Sequence, residues 1–133
     1  MSEPLATNSF VEDISIIEGT RNEVIVFKND KDRTSFLDLL KLNNQSNNRT
    51  LVTLHSDENT PKLINQFQNY DGKIFLCLPA DQKSDLSTQK IISELRGKNI
   101  KDVRPLYGIS ENGHPNLEEY LRNKLKYEQK NIT

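Results

Sequence analysis

Lys28 follows an apolar run, VIVF at residues 24–27, and charged residues of both signs separate it from Phe36, where the apolar pattern resumes. A strand that ends in a charged side chain can deliver that side chain to a ligand, so the chemistry available nearby decides what the lysine means. Three kinds of chemistry find little support. The five glycines are scattered and form neither GxGxxG nor GxxxxGK[ST], which speaks against a phosphate-cradling loop. His55 and His114 are too few and too far apart to make a metal motif, and both read as ordinary loop residues. Ser35, Ser84 and Cys77 lack the strand-turn-helix setting of an activated nucleophile. Carboxylates remain, and the question becomes which elements bring them together.

The periodicity of the chain predicts those elements. Ile14, Ile16 and Ile17 suggest a short strand or an arm on the domain edge, and residues 24–27 are the β-branched run of a buried strand. Asn29 or Asp30 can cap a helix that buries Phe36, Leu37, Leu39 and Leu40 and leaves Asp38 and Lys41 outside. Residues 43–48 form a polar loop. Residues 51–54 make a second strand, Thr60 and Pro61 look like an N-cap with proline at the first helical position, and Leu63, Ile64 and Phe67 give that helix its buried face. Residues 74–78 are apolar without alternation, as in a parallel strand covered on both faces, and are expected at the sheet centre. Ser84 or Asp85 would cap a third helix with Ile91, Ile92 and Leu95 inside, ended by Gly97. Residues 100–103 form a weaker strand that Pro105 places at an edge. A last helix begins near Pro115 and Asn116 and turns Leu117, Tyr120, Leu121 and Leu125 inward.

Helices alternating with strands across short joints imply an α/β fold of about four mainly parallel strands with helices on both faces, a Rossmann-like three-layer arrangement. Ligands gather at the carboxyl ends of such strands. Here those ends carry residues 28–32, 55–58, 79–83 and the loop after Tyr107. The 133 residues suit one core, expected over residues 14–126 with tails at 1–13 and 127–133. With 18 basic and 19 acidic residues the net charge of -1 announces neither a nucleic-acid nor a membrane partner, so a binding face would have to be a local patch. Neither a membrane span nor the pattern of a signal peptide is evident, and a cytoplasmic location is expected. The lone Cys77 reads as a small buried hydrophobe.

In this order the strand ends resemble the topoisomerase-primase, or Toprim, domain, and in particular the Toprim-like modules of primase and mobilisation proteins from mobile elements. The resemblance covers about residues 14–121 and rests on ordered motifs. Family members end the first strand in a glutamate followed by Ser-Pro-Ile-Asp-Ala or similar; in VFKNDKDRTSF, residues 26–36, Lys28 stands at the glutamate and Asp32 at the second acid. The family's third strand ends in an Asp-x-Asp pair. In LCLPADQKS, residues 76–84, Pro79 replaces the first aspartate, Asp81 keeps the second and Ser84 replaces a glycine. PNLEEYL, residues 115–121, matches a signature that opens the last helix, with Asn116 kept and a lysine and an aspartate lost.

The resemblance implies a glutamate acid/base and Mg²⁺ held by aspartates, and therefore a degenerate site here at Lys28, Asp32, Pro79, Asp81 and Asn116. Proline supplies no ligand, and a protonated lysine repels a divalent cation. The implied function is a catalytically inactive module, interacting with protein or nucleic acid within a mobile-element primase, mobilisation or replication protein, without a cofactor. A site rebuilt from Glu58, Asp85 or Glu111 would instead make an active Mg²⁺-dependent nuclease or primase. A generic Rossmann-like interaction domain is the third reading. Lys28, Lys31, Arg33 and Lys83 could bind phosphate. For Lys28 the simpler expectation is a salt bridge to Asp81 or Asp32, since opposed charges relieve one another. For Asp32 the leading expectation is a first-turn helix acid, and for Asp81 and Asn116 helix caps. Tyr107, Tyr120 and Tyr127 offer stacking surfaces or rim packing.

Overall fold

A computed structural model describes residues 13–132, and the side chains of residues 13–127. Most of the predicted amino-terminal tail therefore lies outside the described residues. The elements run β1 (Ser15–Ile17), β2 (Glu23–Phe27), α1 (Asp30–Leu42), β3 (Thr50–Thr53), α2 (Thr60–Gln66), β4 (Lys73–Cys77), α3 (Gln82–Glu94), β5 (Asn99–Asp102) and α4 (Leu117–Ile132). Short 3-10 turns at Asp57–Asn59 and Arg104–Tyr107 precede α2 and follow β5. The five strands form one sheet in the order β1-β3-β2-β4-β5. Strand β1 is antiparallel to β3, and all other pairings are parallel.

The sheet separates two apolar layers. On one face Val24, Val26, Val52, Leu54, Ile74 and Leu76 pack against Leu63 and Ile64 of α2 and Ile91 of α3. On the other Ile25, Phe27, Leu51 and Cys77 pack against Phe36 and Leu39 of α1 and Leu117 and Leu121 of α4. Alternating side chains of each parallel strand feed opposite layers, which is why the strands read as continuous apolar runs. The central position belongs to β2, all five of whose residues are buried, and not to β4 as its apolar run suggested. Strand β4 begins at an exposed lysine and leaves Phe75 only partly buried beneath α1.

Several local expectations change. Asp81, not Ser84 or Asp85, caps α3, its carboxylate accepting from the Ser84 amide at 2.8 Å. Thr60 is the first residue of α2 instead of its cap, since the 3-10 turn ahead of it continues directly into the helix. Ile92 and Leu125 point outward. Helix α4 runs on through the predicted carboxyl-terminal tail to Ile132. Gly97 lies two residues beyond the Leu95 C-cap, with the left-handed φ of +93° that favours glycine. Among the described residues no helix is long and apolar enough to cross a membrane.

Candidate functional site

The chain leaves β2 to build β3 on one side, then crosses over to β4 and continues outward to β5. The direction of winding therefore reverses between β2 and β4, and the crevice outside their carboxyl ends is where such sheets take ligands. Its walls are the joints from β2 to α1 and from β4 to α3, which contain Lys28, Asn29, Pro79, Ala80 and Asp81.

Lys28 turns away from both partners expected for it. Its Nζ lies 2.7 Å from Asp57 Oδ2, in the 3-10 turn after β3. The other carboxylate oxygen of Asp57 accepts from Ser87 of α3 at 2.8 Å, and Thr60 Oγ1 donates to Ser87 Oγ at 3.1 Å. The backbone explains this choice. Leu54 and His55 donate to the carbonyls of Phe27 and Lys28, at 2.8 and 2.7 Å, and so continue the β2–β3 ladder past the strands. His55 then adopts a left-handed φ of +67°, uncommon for a residue with a Cβ, which turns the chain into Asp57–Asn59 beside the lysine. The His55 ring meets Ser15 Oγ at 2.7 Å and ties the edge strand β1 to this corner.

Asp32 faces the other side of the crevice. It is 1% exposed, in the first turn of α1. Its Oδ1 accepts from the Glu118 amide at 3.1 Å and so caps α4 from a different helix, beside the local cap that Asn116 gives the Glu119 amide at 2.9 Å. Oδ2 is buried without a hydrogen-bond partner. Burial lifts the carboxyl from its ordinary 3.8 to about 6, opposed by the Glu118 amide, reinforced by the Glu118 carboxylate and opposed again by Lys28. Burial likewise pushes the nearby Cys77 thiol up to about 12, with Asp32 adding to the rise.

The β4–α3 joint is also held. Ala80 donates its amide to the Pro115 carbonyl at 2.8 Å, which draws the start of α4 over the crevice. Arg104 donates to the Pro79 carbonyl at 3.2 Å while pairing with Asp85 at 2.5 Å and Asp102 at 2.8 Å. Asp81 is engaged as the α3 cap, and among the described residues no ion pair joins it to Lys28. Two of the four candidate phosphate-binding cations are neutralised: Lys28 by Asp57, and Arg33 by Asp30 at 3.0 Å. Lys31 and Lys83 are exposed.

Lys28 and Asp32 are thus near enough to sense each other's charge, and Asn116 joins Asp32 at the start of α4, whereas Asp81 works at a separate helix end. Of the alternative acids, Asp85 and Glu111 line a hollow of about 470 Å³ together with Asp81, and Glu58 lies outside it in the turn after β3. Arg104 already holds Asp85. The donor set does not fit Mg²⁺: Pro79 lacks a carboxylate, Asp32 is buried with one oxygen engaged, and an ammonium-carboxylate pair occupies the end of β2. Among the described residues no group of three or more His, Cys, Asp or Glu side chains is placed to hold a metal ion.

Sequence reasoning missed Asp57, Ser87 and Arg104, which engage this region most closely. Only the Asp102-Val103-Arg104 spacing carried a local signal, because it permits the bidentate pairing observed at 2.8–3.1 Å. Fold and crevice together define an α/β domain with a mostly parallel sheet, compatible with a Rossmann-like architecture. Comparison with protein families, with curated proteins and with solved structures returns no match.

Proposed function

We propose that this chain is a catalytically inactive Toprim-like domain, an interaction or nucleic-acid-associated module of a mobile-element primase, mobilisation or replication protein. The observation that carries the inactive reading is the Lys28–Asp57 ion pair at the end of β2. A group able to act as a general acid or base at this strand end would have to face a substrate, but this amine faces a carboxylate that Ser87 holds in place. The internal bonds of Asp32, Asp81 and Arg104 support the same reading, because they join helices and loops where a working site would leave acids open to a metal. Lys31 and Lys83 are exposed cations able to contact phosphate non-specifically.

The test is a calorimetric Mg²⁺ titration alongside cleavage and primer-synthesis assays on nicked and single-stranded DNA. The expected result is no specific Mg²⁺ binding and no metal-dependent activity. Tight binding abolished by Asp81→Ala, or cleavage abolished by both Asp32→Ala and Asp81→Ala, would reject the inactive reading in favour of a working Mg²⁺-dependent site. Binding to single-stranded DNA that weakens on Lys31→Gln/Lys83→Gln substitution would favour the nucleic-acid role. Retained binding in that variant would count against it.

A further inference from the structure

At the opposite end of the sheet, the face shared by α1 and α4 is incompletely covered. A pocket of about 240 Å³ opens there, floored by Ile25 and Phe75, walled by Phe36 and Leu40 of α1, and rimmed by Leu106 and Arg49. Phe75 is half-buried, and Leu106 on the 3-10 turn is 67% exposed although it borders an apolar floor. Tyr107 adds a hydroxyl-bearing ring to the wall.

Strand register fixes the charge around this floor. Ile25 pairs with Phe75, and Phe75 with Lys101, so the three share a row and a face. One step toward the amino ends of the strands, Glu23 pairs with Lys73, again on that face because side chains alternate along a strand. Arg49 closes the row through its Nε bond to Glu23 at 2.9 Å. The second Glu23 oxygen takes Arg21 at 3.0 Å, so both oxygens of this buried carboxylate are engaged. Asp71, also at this end, accepts from Asn22 at 3.3 Å. Arg21 and Arg49 thus share Glu23, Lys73 and Lys101 flank the floor by register, and the Nη groups of Arg49 take no part in its bond to Glu23.

An apolar floor bounded by excess positive charge and a guanidinium fork suits an anion with an apolar body. We infer that this pocket binds a small free carboxylate carrying an aromatic or branched aliphatic group, the apolar part on Phe75 and Ile25 and the carboxylate toward Arg49, Lys73 and Lys101. A ligand of about a dozen non-hydrogen atoms fits the volume, for which a dissociation constant on the order of 0.1–1 mM is expected. The site is distinct from the switch-point crevice and does not depend on the function proposed for it.

The probe is 1-naphthoate, compared with 1-naphthylmethylammonium, which presents the same rings with the opposite charge. Both are titrated into the full chain and followed by amide chemical shifts. Naphthoate should shift residues near Ile25, Phe75 and Leu106 and bind about tenfold more tightly than the amine. Lys73→Gln/Lys101→Gln substitutes exposed side chains and should weaken naphthoate about fivefold while leaving the amine unchanged or tighter. Arg49→Gln should act in the same direction, and its dispersed amide spectrum serves to verify folding, since Glu23 loses one partner. Absence of naphthoate binding, equal affinities for the two probes, or shifts confined to another surface would each overturn the inference.

Discussion

Asp32 sets a pH dependence of stability opposite in sign to that of most paired carboxylates. Its folded carboxyl is raised from 3.8 to about 6 by burial, so the folded state holds this proton more tightly than the unfolded chain. At about 1.4 kcal/mol per pH unit, the preference amounts to roughly 3 kcal/mol. Below pH 3.8 the carboxyl is protonated in both states and its full relative stabilisation is present. Between 3.8 and about 6 the unfolded chain ionises first, and this contribution declines as pH rises. Above the folded value both states are ionised and the loss is complete. Asp32→Asn keeps the oxygen that accepts from Glu118 but removes the titration. Its amide nitrogen would replace the unpartnered Oδ2, a pH-independent penalty of about 1–3 kcal/mol. The informative quantity is therefore the unfolding free energy of Asp32→Asn minus that of the unsubstituted protein, measured by urea denaturation from pH 3.5 to 8. Subtraction removes ion pairs common to both proteins. The difference should rise by roughly 3 kcal/mol across the window and then level off. A flat or falling difference would refute the claim that the buried carboxyl resists ionisation.

Lys28→Met should destabilise the fold by about 1–3 kcal/mol in urea denaturation, because Asp57 would keep only Ser87, and adding Asp57→Asn should recover part of that loss; no recovery would sink the ion-pair explanation. Asn116→Ala and Asp81→Ala should each cost about 1 kcal/mol in thermal or urea unfolding as helix caps, whereas Asn116→Asp should cost much less; equal losses for the two Asn116 variants would reject the cap. Cys77, buried and with its thiol raised to about 12, should resist a disulfide-exchange reagent at pH 8 until the protein unfolds, and rapid labelling of the native chain would contradict that placement.

What could be read in advance was whatever the sequence encodes locally. The VIVF run, the period of Phe36 and Leu39, and Asn29 ahead of a helix each specify their own neighbourhood, and the strands and helices stand close to where those signals put them. Asn116 and Asp81 are caps for the same local reason, since an amide three residues on is always within reach. The partners of Lys28 and Asp32 were not legible, because they depend on separations of 29 and 86 residues. Lys28 could be matched in sequence only to acids on neighbouring motifs, while its actual partner is set by a left-handed His55 that no residue type announces. For Asp32, its place in the first turn suggested an acid favoured by the helix dipole, and that place is correct, but docking of α4 also removes it from water and substitutes one amide for hydration. The same docking shapes the pocket at the other end of the face. Helix α4 packs beside α1 near the carboxyl ends of the strands, so α1 and the 3-10 turn border the lower part of β4 and Phe75 remains partly open. Crevice and pocket are thus two outcomes of where one helix lies, so a substitution that detaches α4 from Asp32 should disturb the crevice more than the pocket, whose walls are α1 and the 3-10 turn.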